Sequence, residues 1–212
     1  MGKREERAVA IPWSDDGGAL DGLAIDGLED DAVGVVVAAP HPLYGGSMHS
    51  PVVNEIAYAA RNAGLASLRF DWRGVGASAG EPSGDLADAI ADYTAALDHL
   101  VATVPGAVVA AGYSFGAGAA VAASAGRREV RRLLLVAPPP AMLPGDALAA
   151  FPGSVLVIAA EHDAIAPPAD LEPLLGDLPR ARLAVVADAD HFFGVGLAEI
   201  GRLALDWLPA ET

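Results

Sequence analysis

The chain contains no cysteine, and this absence removes several kinds of chemistry. Without cysteine there is no disulfide, no thiolate zinc site and no cysteine nucleophile. A chain without cysteine is compatible with a reducing compartment. The charged N-terminal segment, MGKREER, is not followed by the unbroken apolar stretch of a signal peptide. We therefore expect a cytoplasmic protein.

Long apolar runs and an excess of positive charge are also missing. The longest apolar stretches, 33–40 and 132–140, fall far short of the roughly 20 residues needed to cross a bilayer. Thirteen Lys and Arg residues against 28 Asp and Glu give a formal net charge of −15, which repels phosphate backbones and anionic lipid. We expect no nucleic-acid partner and no membrane partner. The acidity is interpreted as a solubilising surface, with a preference for neutral or cationic substrates as the alternative.

Apolar residues, in contrast, are plentiful. They make up 53% of the 212 residues, which is enough to bury one full core. The 16 prolines and 24 glycines are spread along the chain as turn residues, with no internal repeat and no linker. We predict a single domain over residues 1–212. The sequence is compatible with a homo-oligomer but does not specify one.

Strand-like and helix-like segments alternate along the chain. Apolar residues that recur every three or four positions predict a helix over 85–104. Other helices are predicted over 51–61, 115–125, 169–175 and 197–208. The predicted strands, almost wholly apolar from the third onward, are 7–13, 19–26, 33–39, 65–71, 107–113, 133–137, 155–160 and 182–187. This alternation predicts an α/β protein with an eight-stranded, mostly parallel, doubly wound sheet that begins with antiparallel strands. Such sheets hold their sites at the carboxyl ends of the strands.

A serine stands at the end of the fifth predicted strand, in the sequence GYSFG at 112–116. Gly112 and Gly116 flank Ser114 where any side chain would clash in a tight bend, and a helix of small residues follows. This strand, turn and helix are typical of a nucleophile elbow. The N–H of Phe115, at the start of that helix, is a candidate donor to an oxyanion.

A serine nucleophile needs a base, and that base needs an acid that orients it. For an elbow of this kind the chain order is serine, acid, histidine. His191 follows the last predicted strand and is the predicted base, with His162 as the weaker candidate. Asp163 follows the seventh strand and is the predicted acid. Glu161 is its nearest rival, whereas Asp188 and Asp190 are expected to cap or solvate the turn before His191.

The loop after the third strand, PHPLYGGSM at 40–48, is expected to supply the second oxyanion donor. Pro42 has no N–H, so Leu43 is the predicted donor and Tyr44 the alternative. After the fourth strand, Asp71 and Arg73 are expected to pair and to brace the loops around the site. Substrate contact by Trp72 or Arg73 is the minor alternative.

These motifs together resemble those of the small, lidless bacterial α/β-hydrolases, with an HPHPxxGG loop, an RFNFRGVGxSxG segment, a GxSxGA elbow, a GxxDxxxP acid loop and a late HFF. The match spans residues 33–208. The resemblance implies Ser114 as nucleophile, Asp163 as acid, His191 as base and main-chain donors at Leu43 and Phe115. The chain departs from the pattern at Ala39, at Asp71 with Trp72, and at Ala160, and these positions hold none of the predicted catalytic atoms.

Only about 17 residues, 138–154, separate the sixth and seventh predicted strands, which is too few for a cap domain. We therefore predict an open cleft in which water is the acyl acceptor. The predicted activity is hydrolysis of a small-molecule, short-chain carboxylic ester through an acyl-enzyme, without metal or cofactor. Tyr44, Trp72 and Phe192 are the predicted substrate-binding side chains. Thioesterase, peptidase and acyltransferase activities use the same atoms, and a non-catalytic binding protein on this fold is the alternative of another class.

Overall fold

The structure is a computed structural model that describes residues 5–13, 17–28, 33–176 and 178–209. Residues 1–4 of the charged N-terminal segment lie outside the described residues. Within the described ranges, eight strands form one sheet. In chain order they are β1 Arg7–Pro12, β2 Ala19–Ile25, β3 Gly34–Ala38, β4 Ala66–Phe70, β5 Val108–Tyr113, β6 Val130–Val136, β7 Ser154–Ala160 and β8 Ala181–Val186.

The strand order across the sheet is β1-β2-β4-β3-β5-β6-β7-β8. The β1–β2 and β2–β4 pairs are antiparallel, and every later pair is parallel. The prediction of an eight-stranded, mostly parallel sheet with an antiparallel start is therefore confirmed. Strand β6 begins three residues before its predicted start. The amino end of this strand contains Arg131 and Arg132, which interrupt the apolar run from which the strand is predicted. The Arg132 guanidinium donates to the Leu208 carbonyl.

Helices connect most of the parallel strands. They are α1 Pro51–Asn62, α2 Leu86–Val101, α3 Phe115–Ala123, α4 Gly145–Ala149, α5 Pro168–Leu175 and α6 Leu197–Trp207. Helix α1 begins with Pro51, a residue suited to the first helical position because its missing N–H is not needed there. Helix α2 ends three residues before its predicted end, because the Thr103 and Val104 N–H groups both turn back to the Leu100 carbonyl.

The sheet is covered on both faces. Every residue of β3, β4 and β5 is buried, which in a strand with alternating side chains requires packing on each side. Helix α1 packs against α6, and α2 packs against α3. Among the helices that the structure describes, none has the length and apolarity of a transmembrane span.

The connections at the carboxyl edge of the sheet decide where the site lies. Strands β3, β5, β6, β7 and β8 run parallel, so their following loops meet at this edge. The β6–β7 connection, residues 137–153, holds only a short 3₁₀ turn, Pro140–Met142, and helix α4. The described residues therefore form no separate cap domain over this edge.

Candidate active site

Ser114 occupies the sharp turn between β5 and α3. Its φ of 54° lies in the left-handed region, an unfavourable conformation for a residue with a side chain. The two glycines make this turn sterically possible. A Cβ at Gly112 would lie 2.3 Å from the Gly116 carbonyl oxygen, and a Cβ at Gly116 would lie 2.5 Å from the Ala39 carbonyl oxygen. The elbow predicted from GYSFG is present.

The structure brings the predicted base to the serine. His191 lies in the loop after β8, and its Nε2 is 3.0 Å from the Ser114 Oγ. The two residues are 77 positions apart in the chain, and both are buried apart from a small exposed fraction, 8% for Ser114 and 7% for His191. The hydroxyl and the imidazole therefore face each other at hydrogen-bond distance, and both residues keep a small solvent-exposed surface.

The predicted acid lies on the other side of the imidazole. The Asp163 Oδ2 is 2.7 Å from the His191 Nδ1, and the Asp163 Oδ1 accepts the Ile165 and Ala166 N–H groups, each at 2.8 Å. A carboxylate only accepts, so the imidazole proton resides on Nδ1. Nε2 is then an acceptor and is able to take the Ser114 proton. The side chain of Asp163 is fully buried, and the three hydrogen bonds fix its orientation.

Glu161, the rival acid, and Asp190, the expected turn residue, both bond to main-chain N–H groups. The Glu161 Oε2 accepts the Asp188 N–H at 2.9 Å, and the Asp190 Oδ1 accepts the Phe192 N–H at 3.1 Å. The side chain of His162 is 64% exposed. The carboxylates of Glu161 and Asp190 therefore shape the turns around the base, whereas the imidazole of His191 is bonded to Asp163.

The predicted donor at Leu43 needs correction. Residues Pro42–Tyr44 form a 3₁₀ turn in which the Leu43 N–H already donates to the His41 Nδ1 at 3.2 Å. The His41 N–H, in contrast, has no acceptor among the described residues. The His41 ring packs 4.6 Å from the Phe115 ring between centroids, so the loop lies against the elbow. Burial lowers the pKa of His41, which keeps its Nδ1 available as an acceptor.

Two of the predicted substrate-binding side chains are at the surface, and one is not. Tyr44 is 87% exposed and Phe192 is 73% exposed. Trp72 is 1% exposed, and its Nε1 donates to the Pro40 carbonyl at 3.0 Å. The prediction that Trp72 contacts substrate is wrong, because the indole is packed beneath the loop after β3. Its edge meets the Phe115 ring at 5.7 Å between centroids.

The expected pairing of Asp71 with Arg73 is also wrong. The Asp71 Oδ1 accepts the Met48 N–H at 2.6 Å, and Arg73 instead pairs with Asp92 and Asp88. Each residue still braces a loop, but Asp71 ties β4 to the loop after β3, whereas Arg73 ties the segment after β4 to helix α2. Sequence spacing alone did not reveal these partners, because they are remote in the chain.

One group in the described part of the chain has the spacing of a metal site. Glu161, His162 and Asp188 offer ligand atoms that all lie within 4.8 Å of one another. All three residues are exposed, and they lie on the loops that carry Asp163 and His191 rather than between the serine and the base. They could hold a divalent cation, but the hydrogen-bonded chain from Ser114 to Asp163 does not pass through them.

Comparison with known proteins agrees with this geometry. The model of the family Hydrolase_4, described as serine aminopeptidase S33, matches residues 32–153. An uncharacterized protein of Rickettsia prowazekii is 29% identical over 202 residues, which cover 90% of this chain and 84% of that protein.

Solved structures give the same result. An α/β serine hydrolase without a lid from Xanthomonas campestris has a TM-score of 0.79 and 30% identity, covering 100% of this chain and 99% of its own. An α/β serine hydrolase homologue from Coxiella burnetii has a TM-score of 0.81 and 26% identity, covering 97% and 98% of the two chains. The fold predicted from the sequence is thereby confirmed: the chain has the α/β-hydrolase fold without a cap domain and belongs to the Hydrolase_4 family of α/β-hydrolases.

Proposed function

We propose that this protein is a serine hydrolase of carboxylic esters, with Ser114 as nucleophile, His191 as general base and Asp163 as the acid that orients the base. The observation that carries the proposal is the continuous hydrogen-bonded chain from the Ser114 Oγ through His191 to Asp163, with lengths of 3.0 and 2.7 Å. Three side chains from three loops converge at the carboxyl edge of the sheet. Their hydrogen bonds join nucleophile to base and base to acid, as serine catalysis requires.

The mechanism follows from these contacts. The His191 Nε2 takes the Ser114 proton as the Oγ attacks the ester carbonyl, and the buried carboxylate of Asp163 stabilises the imidazolium. The tetrahedral intermediate collapses when His191 gives its proton to the departing alcohol. Water then enters, loses a proton to His191 and attacks the acyl-enzyme carbonyl. The second tetrahedral intermediate collapses as His191 returns that proton to the Ser114 Oγ, which releases the carboxylic acid and restores the enzyme.

The proposed oxyanion donors are the main-chain N–H groups of Phe115 and His41. Phe115 is the first residue of α3, where the N–H has no acceptor within the helix. His41 replaces Leu43 in this role, because the Leu43 N–H is bonded to the imidazole of His41, whereas the His41 N–H has no acceptor in the part of the chain that the structure describes. Both Pro40 and Pro42 lack an N–H, so His41 is the donor that this part of the loop offers.

Openness of the site supports hydrolysis over acyl transfer. With no cap domain, water reaches the acyl-enzyme freely and is the acceptor at highest concentration. The exposed side chains of Leu43, Tyr44 and Phe192 offer an apolar rim to a small uncharged substrate. An ester needs less assistance than an amide, since its carbonyl is more electrophilic and its alcohol leaves more readily. The cytoplasmic location expected from the sequence stays a prediction.

A substrate panel tests the proposed activity. Turnover of p-nitrophenyl esters, acyl-CoA thioesters and aminoacyl amides is measured side by side, and the highest kcat/KM is expected for the esters. Ser114→Ala is expected to lower kcat by about 10³-fold or more, because the covalent route is lost. Asp190→Asn serves as a matched control for Asp163→Asn. A large loss of kcat is expected for Asp163→Asn and not for Asp190→Asn. Preference for thioesters or amides would redirect the assignment to a thioesterase or a peptidase.

A pair of variants tests the oxyanion donor. The φ of His41, −59°, suits proline, so His41→Pro removes both the N–H and the imidazole, whereas His41→Ala removes the imidazole alone. The kcat of the proline variant is expected to be lower than that of the alanine variant by about 10²-fold. Equal turnover of two folded variants would exclude the His41 N–H from the oxyanion site.

A further inference from the structure

The residue before the nucleophile contacts the base directly. Tyr113 is the last residue of β5, and its hydroxyl donates to the main-chain carbonyl of His191 at 2.7 Å. Its ring is buried, with the centroid 5.8 Å from the His191 ring and 6.3 Å from the Phe193 ring. One side chain thus joins the strand that ends at Ser114 to the loop that holds His191.

The loop around His191 has an unfavourable backbone. Asp188 and Phe193 both have φ values in the left-handed region, 57° and 52°, although neither is glycine. Such residues keep these conformations only when surrounding contacts hold them. The loop after β7 supplies two of these contacts, from the Glu161 carboxylate to the Asp188 N–H and from the His162 N–H to the Ala189 carbonyl. Tyr113 supplies a contact from the other side.

The hydroxyl of Tyr113 remains a hydrogen-bond donor at neutral pH. Burial, followed by the negative charges of Asp163 and Asp190, raises the pKa of Tyr113 to about 12. A protonated phenol next to a carbonyl oxygen donates its hydrogen in one direction only. The hydrogen bond from the Tyr113 hydroxyl to the His191 carbonyl therefore persists at neutral pH.

We propose that Tyr113 is a positioning residue for the general base: its hydroxyl holds the main chain of His191 so that Nε2 stays at hydrogen-bond distance from the Ser114 Oγ. This inference rests on the proposed serine mechanism and deepens it. The Tyr113 hydroxyl bonds to the main-chain carbonyl of His191, whereas the ring nitrogens bond to Ser114 and Asp163. It acts on turnover through the placement of the imidazole.

The simpler explanation is that Tyr113 only fills the core, and Tyr93 offers a matched comparison. Tyr93, on α2, is also a buried tyrosine, and its hydroxyl donates to the Val36 and Ala111 carbonyls at 3.2 and 3.1 Å. Removal of either hydroxyl leaves a buried ring and breaks the hydrogen bonds of that hydroxyl to main-chain carbonyls. Of these two hydroxyls, that of Tyr113 is the one that bonds to His191.

The experiment compares Tyr113→Phe with Tyr93→Phe on the full chain. For each variant we measure kcat and KM with p-nitrophenyl butyrate, the melting temperature, and the downfield NMR signal of the proton between the His191 Nδ1 and Asp163. Tyr113→Phe is expected to lower kcat by about tenfold to a hundredfold, as misplacement of a catalytic group does, with KM nearly unchanged and the NMR signal broadened. Tyr93→Phe is expected to lower the melting temperature by about 2–6 °C and to leave kcat and the signal unchanged.

The outcomes separate this inference from the proposed function. If Ser114→Ala is inactive but Tyr113→Phe turns over like the wild type, the positioning role is excluded and the serine mechanism stands. Equal losses of kcat in the two tyrosine variants, in step with their losses of stability, would show a packing role only. If Ser114→Ala keeps full turnover, both proposals fail together.

Discussion

At the scale of single residues, the elbow depends on the absence of side chains at two positions. The main chains of Gly112 and Gly116 approach each other and the Ala39 carbonyl so closely that a methyl group has no room. This packing holds Ser114 at its positive φ, because β5 and α3, on either side of the serine, are in close backbone contact. The strain at Ser114 is therefore offset by backbone packing around it.

Gly112→Ala is expected to destabilise the fold and reduce turnover. The added Cβ would lie 2.3 Å from the Gly116 carbonyl oxygen, so α3 must shift away from β5. The free energy of unfolding, measured with urea, is expected to fall by about 1–3 kcal/mol. Gly145→Ala is the control, because open space surrounds that glycine at the start of α4. A Gly112→Ala variant as stable as the control would contradict the close approach.

Asp71→Asn is expected to stabilise the protein at neutral pH. Burial has the largest effect on the pKa of the Asp71 carboxyl and raises it. The hydrogen bond from the Met48 N–H lowers this pKa, but by less than burial raises it. The folded state then holds the Asp71 proton more tightly than the unfolded chain does. Stability from this group is thus present at low pH and is lost as pH rises through the raised pKa.

Asparagine keeps an oxygen acceptor for the Met48 N–H but removes the buried charge. The gain in the free energy of unfolding is expected to be on the order of 1 kcal/mol at pH 7 and to shrink as pH falls towards the range where Asp71 is protonated. Urea titrations across this pH range measure it. A gain that grows as pH falls would contradict the raised pKa.

At the scale of elements, the short β6–β7 connection sets how much of a substrate is sheltered. Residues 137–153 include only one turn of 3₁₀ helix and the five residues of α4. Phe115 and Phe193 are buried and so offer little surface to an acyl chain. The exposed apolar side chains of the loops after β3 and β8 are Leu43, Tyr44, Phe192 and Val195. The cleft therefore covers a few methylenes at most.

Short acyl chains are expected to be the better substrates. Each buried methylene contributes about 0.8 kcal/mol, so kcat/KM should rise over the first few carbons and level off once further carbons remain in water. The measurement compares p-nitrophenyl acetate, butyrate, octanoate and palmitate, with a tributyrin titration across its solubility limit. An optimum at palmitate, or a jump in rate at the emulsion boundary, would show that another segment closes over the site.

At the scale of the whole molecule, the acidic surface is expected to discriminate between charged substrates. A net charge of −15 attracts cations and repels anions over distances that salt shortens, from a Debye length of about 30 Å at 0.01 M to about 3 Å at 1 M ionic strength. For esters that share one leaving group, kcat/KM of a cationic ester should fall severalfold with salt and that of an anionic ester should rise. A neutral ester is the control. If kcat/KM of all three esters responds equally to salt, the net charge does not affect substrate selection and serves solubility alone.

The sequence predicted the layout of the molecule but not its packing. Apolar runs and helical spacing located most elements, and the order of Ser114, Asp163 and His191 along the chain predicted which side chains would meet. Local patterns did not reveal the burial of Trp72, the hydrogen bond that occupies the Leu43 N–H, or the link from Tyr113 to His191. Each of these depends on contacts between loops of different strands, and such contacts leave no periodic signal in the chain.

The role of Ser114 as nucleophile is tested most directly by identifying the residue that attacks an electrophilic substrate. An alkyl fluorophosphonate stays bonded to the serine that attacks it, and mass spectrometry of the digested protein then shows where it is attached. We expect one label per chain, on Ser114, with activity lost in proportion to labelling and no labelling of the His191→Ala variant. Labelling of another residue, or loss of activity without a label on Ser114, would contradict covalent catalysis by Ser114.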